Sequence, residues 1–404
     1  MGGSFPLISL YAGPPWSLRR AAAIETCSAP AAYARAVRDS GPLGAPLEVI
    51  ELDPAVWTEP VRGTLPDPSL LGLSGLEQVQ AMVAGGVPPP PIHHLTGMRP
   101  TEAAPGTATF AMPASRWFLL PPGFLSLGVL AMVADGAVGC AVQVALPPAT
   151  PYTTSDLSLS FLRPAEADGG LLTARGRLIH AGSSLGVADA LVEDARGRPV
   201  AHSTTRCFVL PPIDPAPPPP ARMGRVDVPA YGTPDPYLRP VAGEPLPQEV
   251  WDEMTGLEVM RALAGGDLPA PPISHLTGLR PVEFAEGSAS FMLPATAWLV
   301  SPSGYVEGGV IALLADTVLA TAVQTTVGRR TAYAPLDLKV NFLRPVIPDG
   351  RDLLGRAAIV HRGRTLAVAR AEVHNADGKA VAVATGTALI REGSPWRLEE
   401  PRID

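Results

Sequence analysis

The sequence predicts an α+β fold in two tandem copies, each with a long central helix wrapped by a curved antiparallel sheet. Three observations lead to this prediction. The chain has 404 residues, which is long for a single core. Sequence motifs recur at a constant spacing, so that Asp135 and Asp316 stand 181 positions apart. In each half, an apolar run that suits a buried helix precedes residues that alternate between apolar and polar.

The repeat runs without a gap from Gly75 to about residue 209. The segment His94–Pro100 returns almost letter for letter as His275–Pro281. The tetrapeptide Phe-Leu-Arg-Pro occurs at 161–164 and again at 342–345. A register that stays constant over so many positions indicates a duplicated domain.

We place the first domain at residues 71–210 and the second at residues 251–392. Residues 1–70 are rich in Ala, Pro and Gly, show no clear counterpart, and are treated as an N-terminal extension. A proline tract begins the linker at 211–250 and favours a stiff, extended connector that holds the two units at a set separation. Residues 393–404 form a C-terminal tail.

Each domain is predicted to begin with a short helix, capped by Ser74 in one copy and by Thr255 in the other. A proline-rich loop follows. A strand comes next, at 107–112 and at 288–293, and a proline ends it in both copies.

The long apolar helices are expected at about 127–144 and 308–325. After the first of them, Leu157, Leu159 and Phe161 alternate with polar residues. Alternation of this kind is typical of a half-buried antiparallel strand. The second copy repeats the pattern.

Composition excludes several classes of protein. A net charge of −7 provides no basic surface for nucleic acid. No apolar run makes a convincing membrane span, and the first residues lack the pattern of a signal peptide. The three cysteines (Cys27, Cys140 and Cys207) give neither a disulfide framework nor a zinc pattern. We therefore expect no metal site and a reducing cytoplasmic location.

Each long helix carries one carboxylate, Asp135 in the first copy and Asp316 in the second. The residues one turn away are small or apolar, so nothing on the helix solvates the charge. Such burial raises a carboxyl pKa and makes a better general base near neutral pH. A structural aspartate bonded to a strand or a partner helix is the alternative interpretation. The recurrence at matched positions favours function.

Glycines stand at the starts of both long helices, Gly308 and Gly309 in one copy and Gly128 in the other. A helix start has unpaired N–H groups and a positive dipole end. Glycine there allows a ligand carbonyl to come close, as an oxyanion hole requires. A tight turn that needs a positive φ is the alternative.

Taken together, the second-copy motifs resemble those of the PaaI-type hotdog-fold acyl-CoA thioesterases. The resemblance rests on the glycine and acidic residues within Gly304–Thr317, followed by the strand that ends in Phe342–Pro345. It covers both repeats. It implies two tandem hotdog domains that pair side by side, with each active site between them. It also implies hydrolysis of an acyl-CoA to the free acid and CoA, with no cofactor beyond the CoA of the substrate.

The family's site residues can be carried over by position. The carboxylate that activates water or attacks directly corresponds to Asp135 and Asp316. The hydroxyl on the next strand becomes Thr154 in the first copy but Pro335 in the second. The motif His-Gly-Gly becomes Glu307-Gly308-Gly309 in the second copy and Ser126-Leu127-Gly128 in the first.

In the family, one unit supplies the carboxylate and the hydroxyl, and its partner supplies the glycine N–H. One composite site would then contain Asp135, Thr154, Ser301, Glu307 and Gly308. The other would contain Asp316, Pro335, Leu120, Ser126 and Leu127. The first site keeps more polar groups, so the sequence predicts one competent site per chain, with Asp135 as its carboxylate and the Gly308 N–H polarising the thioester carbonyl.

Two further expectations concern binding. Arg362 and Arg364 could contact the phosphates of CoA, since arginine suits bidentate phosphate contact, although a solvated loop explains them equally well. Relatives commonly form tetramers of single units, which implies a homodimer of this double chain.

Two other functions stay open. A non-catalytic acyl or acyl-CoA binding protein is favoured by the lost histidine. A hydratase or dehydratase is disfavoured, because no histidine accompanies either helix aspartate.

Overall fold

A computed structural model describes residues 55–221 and 223–393. Residues 1–54 of the predicted extension and almost all of the predicted tail lie outside the described residues. No helix in the described part of the chain is long and apolar enough to cross a membrane.

The first repeat contains three α-helices and six strands. They are α1 (Gly75–Val83), α2 (Pro91–Thr96), β1 (Arg99–Ala104), β2 (Thr107–Pro113), α3 (Leu127–Gln143), β3 (Tyr152–Phe161), β4 (Leu171–Ala181), β5 (Leu185–Glu193) and β6 (Pro199–Val209).

The second repeat has the same elements after one additional helix. They are α4 (Gln248–Glu253), α5 (Gly256–Gly265), α6 (Pro272–Thr277), β7 (Arg280–Ala285), β8 (Ser288–Pro294), α7 (Gly308–Gln324), β9 (Thr331–Phe342), β10 (Asp352–Arg362), β11 (Leu366–His374) and β12 (Ala380–Glu392).

The predicted long helices and the predicted caps of the short first helices are confirmed. Helices α3 and α7 lie within one residue of the expected bounds. Ser74 and Thr255 cap α1 and α5, each within a capping box completed by a glutamate three residues later. The expected proline-rich loops are wrong in one respect, because each contains a short helix of six residues, α2 or α6. Proline at its first positions and a left-handed glycine at its end, Gly97 or Gly278, make this short helix possible.

All twelve strands form one antiparallel sheet with the order β1-β2-β4-β5-β6-β3-β9-β12-β11-β10-β8-β7. The halves join where β3 pairs with β9, from Asp156 opposite Asn341 to Ser160 opposite Asp337. Helix α3 packs against β2, β4, β5 and β6, and α7 packs against β8, β10, β11 and β12. The two helices also pack against each other.

Glycine allows the two long helices to approach closely. A Cβ atom at Gly309 would lie 2.5 Å from the Cα of Met132 on α3. A Cβ atom at Gly128 would lie 2.6 Å from the Cα of Leu313 on α7. Because backbone atoms occupy both places, any larger residue would push the helices apart.

The segments that precede the two repeats each reach across to the other repeat. Trp298 donates its indole N–H to the carbonyl of Glu59 at 2.9 Å, and Trp117 donates to the carbonyl of Arg239 at 3.2 Å. Glu59 and Arg239 also form an ion pair with each other. The end of the predicted extension thus has a counterpart in the connector. The two segments share the pattern Pro-Val-x-Gly at 60–63 and 240–243, but they stand 180 positions apart, so a search at the constant spacing of 181 does not align them.

The proline tract does not hold the two repeats apart. A Cβ atom at Gly72 would lie 2.5 Å from the carbonyl oxygen of Pro217, so the tract packs against the first repeat. The expectation of a connector that sets a separation between two units is therefore wrong. The pairing of β3 with β9 brings the repeats directly together.

Candidate active site

The two helix aspartates bind the opposite helix starts in a reciprocal way. The Oδ2 atom of Asp135 on α3 accepts a hydrogen bond from the N–H of Gly309 at 3.0 Å. The Oδ2 atom of Asp316 on α7 accepts one from the N–H of Gly128 at 2.8 Å. Each site therefore combines a carboxylate from one repeat with a helix start from the other, as the resemblance implied.

Both carboxyl groups are buried, and burial is the main cause of their altered acidity. It raises the pKa of Asp135 to about 6, although the hydrogen bond from Gly309 acts in the opposite direction. Burial likewise raises the pKa of Asp316 to about 6, opposed by hydrogen bonds from Gly128 and the Ser126 hydroxyl. Each carboxyl group can therefore be ionised near neutral pH and can still accept a proton.

The residue just before each bonded glycine has a free N–H group. Gly308 and Leu127 are the first residues of α7 and α3, and neither N–H forms a hydrogen bond with any described residue. A Cβ atom at Gly308 would lie 2.7 Å from the Oδ2 atom of Asp135. The free N–H of Gly308 thus lies next to a carboxylate, where it can bind a carbonyl oxygen.

A second carboxyl group lies beside Asp135. Glu307 occupies the N-cap position of α7 and is 6% exposed, and its side chain does not cap the helix. Within the described part of the chain, its Oε2 atom and the Oδ1 atom of Asp135 are buried without a hydrogen-bond partner. Burial, together with the neighbouring Asp135, raises the pKa of Glu307 well above its usual range. Burial therefore favours the protonated form of Glu307, which can donate a proton.

The predicted hydroxyl, Thr154, lies on β3 near this pair. It stands opposite Cys207 on β6 and shares a hydrogen bond with the Cys207 thiol. Burial and the nearby Asp135 raise the pKa of both Cys207 and Cys140 to about 12. The two thiols are neutral at physiological pH, which excludes them as thiolate nucleophiles.

The surroundings of Asp316 are less polar than those of Asp135 and include a cavity. Pro335 replaces the hydroxyl, as the sequence shows. A cavity of about 60 Å³ opens beside this site, and Ser126, Thr317 and Pro335 form its wall next to Asp316. Its remaining lining is mainly apolar and includes Leu120, Phe124, Met260, Leu263 and Phe291. The cavity thus belongs to the composite site that has fewer polar groups.

Three other predicted binding residues form no described hydrogen bond or ion pair with either aspartate. The Ser301 hydroxyl binds Ser303 at 2.8 Å within its own turn. Arg362 is exposed and donates to Thr326 at 3.0 Å, just beyond the end of α7 and about 15 Å along the helix axis from Asp316. Arg364 is also exposed. Their roles in binding a substrate stay predictions.

A metal site is not evident in the part of the chain that the structure describes. No group of three or more His, Cys, Asp or Glu side chains in residues 55–221 and 223–393 could hold a metal ion.

Comparison with protein families finds a match in each repeat. Residues 76–209 match the acyl-CoA thioesterase C-terminal domain, and residues 303–382 match the thioesterase superfamily. The two matches together cover more than half of the chain. The fold and the two family matches identify a tandem hotdog protein of the thioester hydrolase class. Within that class, the chain belongs to the thioesterase superfamily.

The individual proteins that resemble this chain share little sequence identity with it. A Vibrio cholerae protein whose name assigns it provisionally to the esterases is 26% identical over 146 residues, which are 36% of this chain and 93% of that protein. The tesB protein of Mycobacterium avium subspecies paratuberculosis is 13% identical, with a TM-score of 0.46 over 79% of this chain and 100% of that chain. Acyl-CoA thioesterase II TesB2 of Mycobacterium marinum is 13% identical, with a TM-score of 0.44 over 74% of this chain and 97% of that chain. The family assignment rests on the two family matches.

Proposed function

We propose that this protein hydrolyses acyl-CoA thioesters between a helix aspartate and the start of the opposite helix. The reciprocal contact between aspartate and backbone N–H is the observation that carries this proposal. It places a carboxylate with a pKa of about 6 beside a free N–H group. A base and an oxyanion donor are the two groups that acyl transfer to water requires.

The chemistry then follows from these groups. The aspartate removes a proton from a water molecule as the water oxygen bonds to the thioester carbon, or the carboxylate attacks that carbon directly. The negative charge that develops on the carbonyl oxygen is stabilised by the free N–H and by the positive end of the helix dipole. The carbon–sulfur bond breaks, and CoA leaves as the thiolate. In the general-base route the free acid forms directly, and the proton held by the aspartate neutralises the thiolate. In the direct route a mixed anhydride with the aspartate forms first, and a water molecule then hydrolyses it to release the acid and restore the carboxylate.

We assign the acyl group to the cavity beside Asp316. An acyl chain needs apolar walls, and Leu120, Phe124 and Met260 provide them at this site. The sequence instead favoured Asp135, because Thr154 and Glu307 accompany it. The polar side chains and the cavity therefore lie at different composite sites.

The test is a thiol-release assay on Asp135→Asn, Asp316→Asn and the double variant, over a series of acyl-CoA chain lengths. The two single variants are matched controls for each other, because the residues occupy equivalent helix positions. We expect Asp316→Asn to reduce kcat by about 100-fold or more, as loss of a general base does, and Asp135→Asn to retain most activity. The opposite pattern would support the Asp135 site, and full activity in the double variant would refute the proposed function.

A non-catalytic acyl-CoA binding protein is the second candidate. The replacement of the strand hydroxyl by Pro335 favours it. Calorimetric titration with an acyl-CoA separates the two functions, because a binding protein gives heat of binding without thiol release.

A further inference from the structure

The cavity beside Asp316 contains a buried hydrogen-bond donor that has no acceptor within the described part of the chain. Gln324, near the end of α7, is 3% exposed and lines the cavity. Its Nε2 atom has no hydrogen-bond partner among the described residues. The Tyr333 hydroxyl lies 3.5 Å from the Oε1 atom, a contact that directs the amide nitrogen away from it. A buried amide left without a partner is costly, so this donor points to a ligand atom.

The equivalent glutamine in the first repeat shows what has been lost. Gln143 donates from Nε2 to the Oε1 atom of Gln78 at 3.0 Å. The residue that corresponds to Gln78 in the second repeat is Val259, which is buried and offers no side-chain acceptor. The second repeat has kept the donor and replaced its acceptor by an apolar side chain.

The donor lies on the same helix face as the carboxylate. Asp316, Ala320 and Gln324 follow one another at intervals of four residues, and such residues lie one above the other along a helix. Eight residues of helix span about 12 Å. Ala320 and Gln324 both line the cavity. An acyl group with its carbonyl at Asp316 can therefore extend along α7 towards the amide.

We propose that the cavity selects an acyl group that is apolar along its length and carries a hydrogen-bond acceptor oxygen at its far end, which the Gln324 amide binds. This inference rests on the proposed function for the placement of the carbonyl. The apolar walls bind the hydrocarbon part of the chain. A plain hydrocarbon chain would leave the amide nitrogen unpaired, whereas a distal oxygen satisfies it.

The experiment compares octanoyl-, decanoyl- and dodecanoyl-CoA with counterparts that carry a ketone next to the terminal methyl. Hydrolysis gives kcat/KM, and calorimetry with the corresponding thioether analogues, which cannot be hydrolysed, gives affinity. The variants are Gln324→Leu, which removes the donor at similar size, and Val259→Gln, which supplies an acceptor within the protein. Gln143→Leu is the matched control in the first repeat. Thermal unfolding checks that each variant is folded.

We expect the wild type to prefer the ketone of the best-fitting length by roughly 5- to 100-fold, the ratio that corresponds to an unpaired buried donor. Gln324→Leu should abolish or reverse this preference, and Gln143→Leu should keep it. Equal preference in the wild type and in folded Gln324→Leu would overturn the inference, even if hydrolysis is efficient. Retained binding preference without any thiol release would support the inference and refute the proposed function.

Discussion

Replacement of Gly309 by alanine tests whether the two long helices approach as closely as described. The new Cβ atom would lie 2.5 Å from the Met132 Cα and 2.9 Å from the Ala131 carbonyl oxygen. Both are backbone atoms of α3, so the helices must separate. Overpacking of this kind typically costs about 1–3 kcal/mol. Separation also lengthens the 3.0 Å hydrogen bond to Asp135, and such a bond to a charged group contributes about 1.5–3 kcal/mol.

Alanine also has a higher helix propensity than glycine, which offsets up to about 1 kcal/mol of that cost. We therefore expect Gly309→Ala to lower the free energy of unfolding by about 2–4 kcal/mol, measured by urea unfolding followed by circular dichroism. Gly328→Ala is the control, because a Cβ atom there meets nothing within 4 Å and should change stability by less than about 0.5 kcal/mol. The described helix crossing would be refuted if Gly309→Ala proved as stable as Gly328→Ala.

Two further predictions concern the buried carboxyl groups. The pKa values of Asp135 and Asp316 are raised from 3.8 to about 6, so the folded state holds these protons more tightly than the unfolded state. Stability should therefore fall as pH rises from about 4 to about 6, by up to roughly 3 kcal/mol per carboxyl group, and the Asp135→Asn, Asp316→Asn double variant should flatten this slope in thermal unfolding. Because burial raises the pKa of Glu307, the protonated form is favoured in the folded state, so Glu307→Gln should raise the unfolding temperature more at alkaline pH than near neutral pH. A lower unfolding temperature at both pH values would contradict this direction.

The sequence predicted the fold well because the same pattern of apolar runs and alternating residues occurs in both repeats. Helices α3 and α7 followed from unbroken apolar runs, and Ser74 and Thr255 marked caps through their chemistry. The features that the sequence did not predict depend on contacts between residues that are far apart in the chain. The bonds from Trp117 and Trp298 to opposite segments end on backbone carbonyls, which leave no trace in residue identity.

The repeat also allowed part of the candidate site to be predicted. The aspartates and helix-start glycines could be named, because matched positions in the repeat drew attention to them. The cavity beside Asp316 could not, since its apolar wall comes from several elements of both repeats. The special role of Gln324 could not be predicted from its own position, because both repeats have a glutamine there. The two repeats differ at the position of the partner, where Val259 replaces Gln78.

The pairing of β3 with β9 has a consequence for how the two halves can differ. Two identical single-repeat chains that paired through these strands would dissociate on dilution, and both of their composite sites would contain the same residues. Here the covalent link keeps the effective concentration of each half high at any protein concentration. Each molecule therefore contains one site of each kind in a fixed one-to-one ratio, and a substitution at one helix start alters a single site.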